Sequence, residues 1–147
     1  MAQLFTSIAL DPAVRGRLIA TLSGLHAERP LSAADPRDAV GRLQGALDAL
    51  GLDAVRIRGA VGHAGVEVDH VWLAVRSGPG GPWVLDAAFP LHQPTFLAAL
   101  SGYVAGTTTR EELDAIARRS RIEDRVIGEL PARTTYRGRP YWGTSAN

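Results

Sequence analysis

The sequence predicts an α+β fold, in which a few helices pack on a small antiparallel sheet within a single domain over residues 1–147. Three observations support this prediction. Two helical patterns occupy the first third of the chain, two segments of alternating apolar and polar residues follow, and a glycine- and proline-rich turn leads into a further short strand. A chain of 147 residues also has the size at which one domain buries a substantial core.

Two helices are predicted before residue 51. Residues 12–28 repeat apolar side chains every three or four positions, and Pro12 suits the first turn of a helix. The second helix, over about residues 36–50, is better marked, because Asp35 is a natural N-cap and Pro36 fits the first helical position. Both helices therefore have an apolar stripe to place against a core.

The middle of the chain predicts strands. Residues 53–61 and 66–76 alternate apolar with polar side chains, which is typical of half-buried strands. Residues 77–82 form a turn by composition, and residues 83–87 return as the partner strand of a hairpin. The central unit is therefore a helix, a strand and a hairpin in that order.

Further helices and then an irregular tail are predicted for the last third of the chain. A short helix is expected over residues 95–104, and Thr109 with Glu112 forms a capping box that opens another helix to about Ser120. One or two further helical turns are expected up to Gly128.

The tail from Pro131 onward is rich in arginine and aromatic residues and is predicted to be irregular. Its run from Tyr136 to Trp142 has the basic and aromatic mixture of a nucleic-acid contact, but the net charge of the chain is only +1. We therefore expect no nucleic-acid partner, and interpret the tail as a strap over the domain or a lid over a pocket.

Composition excludes several kinds of chemistry. All 16 basic residues are arginine, so lysine Schiff-base chemistry is excluded, and the absence of cysteine excludes disulfides, thiolate metal sites and a cysteine nucleophile. No apolar run reaches the roughly 18 residues that cross a membrane, and the N-terminal residues do not have the pattern of a signal peptide. We therefore expect a cytoplasmic protein with no membrane partner.

The residues best suited to take part in a reaction are His70 and Asp86. His70 lies in a strand otherwise built for burial, and Asp86 lies among apolar residues, where a lone carboxylate needs a partner. The hairpin can bring them together, because cross-strand neighbours are about 4.5–8 Å apart. An Asp–His hydrogen bond would fix the imidazole tautomer and prepare it as a general base. A buried structural pair is the equally weighted alternative.

These segments resemble the core of the transglutaminase-like and papain-like proteins, and are also similar to the arylamine N-acetyltransferases. The resemblance rests on the helix before Gly51, the His-x-Trp pattern of His70 and Trp72, and the run from Trp83 to Asp86. It covers roughly residues 33–90. It implies a transglutaminase-like fold in which His70 and Asp86 belong to an acyl-transfer site.

The resemblance places the nucleophilic cysteine of that family at about Asp35 or Pro36, where this chain has no thiol. Three alternatives remain open at this position. Asp35 replaces the thiol as an acid or base, Ser32 replaces it as nucleophile, or the site is catalytically dead.

The sequence therefore predicts a small enzyme without a thiol nucleophile, which uses His70, Asp86 and Asp35 for acid/base chemistry. These acid/base groups could catalyse a cyclisation, an isomerisation, a dehydration or a hydrolysis. We expect the enzyme to act in the biosynthesis of a specialised metabolite. The substrate is expected to be a small, partly apolar molecule, free or bound to a carrier or peptide. Its predicted pocket is lined by Trp72, Trp83, Tyr141 and Trp142.

The alternative is a pseudoenzyme, in which the cleft that corresponds to the family's active site holds a peptide or carrier domain. An open cleft around a buried His70–Asp86 pair would favour the enzyme, whereas a cleft filled by side chains would favour the scaffold. His63, Glu67 and His70 match no metal-ligand spacing, so no metal and no cofactor are predicted. The sequence indicates no particular oligomeric state.

Overall fold

A computed structural model describes residues 3–5, 10–75 and 82–141. It contains four α-helices, six β-strands and one turn of 3₁₀ helix within these residues. In chain order the elements are β1 (Gln3–Phe5), α1 (Pro12–Glu28), α2 (Pro36–Ala49), β2 (Ala54–His63), β3 (Val66–Val75), β4 (Trp83–Asp86), α3 (Pro94–Ala105), α4 (Arg110–Arg119), the 3₁₀ turn (Ile122–Asp124), β5 (Val126–Gly128) and β6 (Thr134–Pro140).

The six described strands form one sheet in the order β1-β6-β2-β3-β4-β5, and every neighbouring pair is antiparallel. The predicted class, helices with an antiparallel sheet, is therefore confirmed. The longest ladder joins β2 to β3 over ten residue pairs, from Ala54 opposite Val75 to His63 opposite Val66. The last described strand, β6, inserts between β1 and β2.

The predictions for the four α-helices are confirmed, since each lies within about one residue of the expected bounds. Asp35 caps α2 by accepting a hydrogen bond from the backbone N–H of Asp38 at 3.2 Å. Thr109 and Glu112 form the predicted capping box at the start of α4. None of the helices in the described part of the chain is long and apolar enough to cross a membrane.

Two predictions for the C-terminal third are wrong. The helical turns expected up to Gly128 shorten to one 3₁₀ turn, which is followed by strand β5. The segment predicted as an irregular strap or lid is β6, which pairs with β2 over Thr134–Pro140 and with β1 over Tyr136–Gly138. The predicted turn at residues 77–82 lies outside the described residues except for Pro82.

The sheet is strongly curled. The Tyr136 hydroxyl on β6 donates a hydrogen bond to Asp86 on β4, although three strand spacings separate the two strands. In a flat sheet these strands would be about 14 Å apart at the usual spacing. Phe5 on the edge strand also meets Trp72 on β3 edge to face, with ring centroids 6.2 Å apart. The side chains on this concave face therefore close into one buried core.

An opposed pair of glycines, Gly59 and Gly138, allows β2 and β6 to approach closely within this curl. A Cβ atom added to Gly59 would overlap the carbonyl oxygen of Arg137 and lie 2.5 Å from the Cα of Gly138. We expect Gly59→Ala to lower the free energy of unfolding by at least about 1–3 kcal/mol, because the obstructing atoms belong to the backbone and cannot rotate away. Denaturant unfolding measures this change.

The matched control is Gly45→Ala on the exposed side of α2, where an added Cβ meets no atom within 4 Å. This substitution is expected to stabilise the protein by up to about 1 kcal/mol through helix propensity. Equal effects at the two positions would show that the close approach of β2 and β6 does not constrain residue 59.

Candidate functional site

The predicted contact between His70 and Asp86 is present. The Nε2 atom of His70 lies 2.8 Å from Oδ2 of Asp86, and the two residues are on the adjacent antiparallel strands β3 and β4. A carboxylate only accepts hydrogen bonds, so Nε2 carries the proton in this contact. The sequence thus predicts both the partners and the strands that carry them.

Asp86 is a buried carboxylate with hydrogen bonds to both oxygens; its exposed fraction is 1%. Oδ2 accepts from His70 and from the Tyr136 hydroxyl, each at 2.8 Å. Oδ1 accepts from the backbone N–H groups of Ala88 at 3.0 Å and Phe89 at 3.2 Å. Four donors from two strands and the following turn offset the loss of hydration.

Tyr136 is the member of this cluster that the sequence reasoning missed. Burial raises the pKa of its hydroxyl well above the ordinary value, and the neighbouring charge of Asp86 adds to the shift. The phenol therefore stays protonated and remains a hydrogen-bond donor. The sequence carries only a partial signal, because Tyr136 lies between the polar residues Thr135 and Arg137. The structure shows the full strand alternation, with Thr134, Tyr136 and Gly138 buried and Thr135 and Arg137 exposed.

The His70 imidazole is sealed inside the protein. Its side chain has no solvent-accessible surface. The ring stacks on Phe89, with centroids 3.8 Å apart and planes 11° apart, and Trp72 lies at 6.2 Å on a nearly parallel plane. Its Nδ1 atom is buried and has no hydrogen-bond partner among the described residues. The nitrogen that would exchange a proton with a substrate therefore faces the core.

An open cavity of about 780 Å³ lies on the other face of β2, β3 and β6, beside the start of α2. Arg58 is paired with Val71 and Arg139, and Ala60 is paired with Asp69 and Arg137, so these side chains share one face of the sheet. The cavity is lined by Ala34, Asp35, Pro36, Arg37, Arg58, Gly59, Ala60, Glu67, Asp69, His70, Val71, Arg110, Arg137, Gly138 and Arg139.

His70 reaches this cavity through its main chain. The residue as a whole is 5% exposed, whereas its side chain has no exposed surface, so the accessible atoms belong to the backbone. Strand alternation agrees, because Asp69 and Val71 point to the cavity side and His70 between them points to the core. The cavity and the imidazole therefore lie on opposite faces of β3.

Of the aromatic residues predicted to line a substrate pocket, the three that the structure describes do not line this cavity. Trp72 is completely buried on the concave face, and Trp83 is 8% exposed. Tyr141 is half-buried and lies just beyond β6, with its N–H bonded to the carbonyl of Arg56. Trp142 lies outside the described residues. Asp35 does line the cavity, with its carboxylate engaged as the cap of α2.

Ser32, the alternative nucleophile, is held by a carboxylate. Its hydroxyl donates to Oδ1 of Asp114 on α4 at 2.6 Å, and the backbone N–H of Ala33 donates to the same oxygen. Burial acts to raise the pKa of Asp114, but hydrogen bonds from Ser32 and the positive charge of Arg118 outweigh it, and the pKa lies below the ordinary value. Ser32 therefore joins the segment before α2 to α4.

Arg125 is a second buried ion that the sequence reasoning missed. It has no accessible surface, and its guanidinium donates to the carbonyl oxygens of Leu31, Ala87, Ala88 and Ala117. Desolvation lowers its pKa to about 10, so the group remains a cation at neutral pH. It connects the segment before α2, the turn after Asp86 and the end of α4.

No protein-family model, no curated protein sequence and no solved structure matches this chain. Within the described residues, no group of three histidine, aspartate, glutamate or cysteine side chains could hold a metal ion.

Tyr136→Phe tests the Asp86 cluster. The substitution removes one donor from a buried carboxylate and is expected to lower the free energy of unfolding by about 1.5–3 kcal/mol, the range for hydrogen bonds to charged groups. Denaturant unfolding measures the change. Tyr103→Phe is the control, because the Tyr103 hydroxyl on α3 has no hydrogen bond among the described residues. Similar losses in both variants would contradict the role given to the Tyr136 hydroxyl.

His26 gives a pH-dependent contact near the start of α2. Its Nδ1 accepts from the backbone N–H of Leu31 at 2.9 Å, which requires an unprotonated nitrogen, and its Nε2 lies 3.1 Å from the carbonyl of Arg118. Burial and the charge of Arg125 lower the pKa of His26 below 6.5. The unfolded chain therefore takes up this proton at higher pH than the folded chain.

We expect the stability contributed by His26 to be present above pH 6.5 and to be lost as the pH falls through this value toward the lower folded pKa. His26→Gln keeps an acceptor for Leu31 and cannot ionise, so its unfolding free energy should fall less between pH 8 and pH 5. Parallel curves for the two proteins would contradict the assignment.

Proposed function

We propose that this protein is a binding domain on a transglutaminase-like core, in which the His70–Asp86 pair is structural rather than catalytic. The order of α2, β2, β3 and β4, with the pair on the last two strands, supports the transglutaminase-like assignment. In this proposal the cavity beside α2 holds a small molecule, or a group carried on a peptide or carrier domain. The pseudoenzyme alternative is thus favoured over the acid/base enzyme.

The burial of the His70 imidazole carries the proposal. A general base must come within hydrogen-bond reach of the proton it removes, at about 2.6–3.2 Å. The imidazole has no accessible surface, and Phe89 is stacked on one side of its ring. The space around the pair is filled by side chains, which is the arrangement expected of a scaffold.

The residues around the missing thiol support the same conclusion. Asp35 is occupied by the first turn of α2, and the Ser32 hydroxyl is bound to Asp114. Activation of a serine requires a base that accepts its proton and is itself oriented by a third group. Asp114 is instead paired with Arg118 at 2.7 Å, which favours its ionised, weakly basic form.

One observation favours the acid/base enzyme as a second candidate. The buried Nδ1 of His70 has no partner among the described residues, and an unsatisfied buried nitrogen is uncommon in a purely structural pair. Catalysis would require Phe89 to move and admit a substrate. Accessibility of the imidazole therefore distinguishes the two functions.

Carbethoxylation of histidines, followed by peptide mass mapping, measures this accessibility without a known substrate. His63 and His92 are partly exposed and serve as internal references in the same molecule. We expect His70 to react at least about 100-fold more slowly than both, because its modification requires an opening of the core. Denaturant should abolish the difference.

A His70→Gln variant identifies the peptide signal that belongs to residue 70. Reaction of His70 at a rate close to that of His63 in the folded protein would show an accessible imidazole. This outcome would contradict the binding-domain proposal and favour the acid/base enzyme.

A further inference from the structure

Three arginines meet on the outer face of the sheet. Arg58 on β2 is directly opposite Arg139 on β6, and Arg137 is two residues away on the same face. Directly opposed residues have Cβ atoms about 4.5–5.5 Å apart, and like charges in this arrangement repel each other. All three side chains line the cavity beside α2.

No carboxylate among the described residues forms an ion pair with this group. Among the described residues, ion pairs occupy Arg29, Arg42, Arg118 and Arg121, while none is formed by Arg58, Arg137 or Arg139. Asp35 lines the same cavity but is bound to the first turn of α2. The three guanidiniums therefore keep their hydrogen-bond donors available to a ligand.

The cavity has the size of a small-molecule site. Its volume of about 780 Å³ lies within the usual range of about 300–1,000 Å³. Glu67 and Asp69 also line it, and both are exposed. These two carboxylates would repel an extended polyanion such as nucleic acid, so the site suits a compact anion placed against the arginines.

We propose that this cavity binds a small molecule bearing a phosphate monoester, with Arg58, Arg137 and Arg139 around the phosphate. The proposal rests on the binding function inferred above and names the chemical class of the ligand. A phosphate dianion offers three terminal oxygens and two charges to several planar guanidinium groups at once, whereas one carboxylate offers two oxygens and one charge. Binding also relieves the repulsion between Arg58 and Arg139.

Isothermal titration of the full chain with inorganic phosphate tests the proposal, at constant ionic strength adjusted with sodium chloride. Wild-type protein is expected to bind phosphate, and more strongly than it binds succinate. Arg58→Gln and Arg139→Gln should each weaken phosphate binding at least about tenfold, because each removes a charge-assisted hydrogen bond. Arg119→Gln is the control, since Arg119 is exposed on α4 and does not line the cavity.

Thermal unfolding without phosphate shows whether the variants remain folded. Arg139→Gln should melt at the same temperature as wild type or higher, because it removes a like-charge pair. Absence of phosphate binding by wild type, equal binding of succinate, or equal weakening by Arg119→Gln would each overturn the phosphate assignment. Histidine carbethoxylation does not depend on these arginines, so failure here leaves that test of the binding-domain proposal unaffected.

Discussion

The buried carboxylate of Asp86 is the constraint on which the rest of the structure depends. A carboxylate with 1% exposure is tolerated only when hydrogen bonds replace its hydration. The donors come from β3, from β6 and from the turn that follows β4. Because β6 lies three strands from β4, the sheet must curl to bring the Tyr136 hydroxyl within reach. Both the curl of the sheet and the position of β6 are therefore tied to the Asp86 carboxylate.

The favourable geometry of the His70–Asp86 pair does not by itself make the pair an active site. A hydrogen bond of 2.8 Å orients the imidazole of His70 as a catalytic dyad would require. Phe89 and Trp72 then cover the ring, so that solvent does not reach it. Geometry within the pair therefore says little about catalysis unless the second ring nitrogen also meets a space that a substrate can enter.

Beside the cavity, alternation along β2, β3 and β6 gives the two faces of the sheet different residues. Residues on the concave face are mostly apolar or belong to the Asp86 cluster, and they complete the core, while His63 and Thr134 bond to each other at one end of this face. Residues on the outer face include Arg58, Arg137 and Arg139, which remain beside an open cavity because α2 begins next to them. A one-residue shift of register would exchange the faces and place these charges in the core. The register thus maintains both the core and the candidate binding surface.

The sequence by itself determined the elements whose signals are local. Asp35 and Thr109 mark helix starts through caps that act within one turn, and alternation identifies β2 and β3. The pairing of His70 with Asp86 also followed, because a hairpin joins nearby segments. Only the tertiary structure decided that the tail from Thr134 is an inner strand, that Tyr136 completes the Asp86 cluster and that the imidazole faces the core. The first two outcomes depend on partners 50 or more residues away, and the third depends on which face of the sheet is covered by side chains such as Phe89. No local pattern of side chains specifies these relations, since the physical advantage of each arises only when distant segments are packed together.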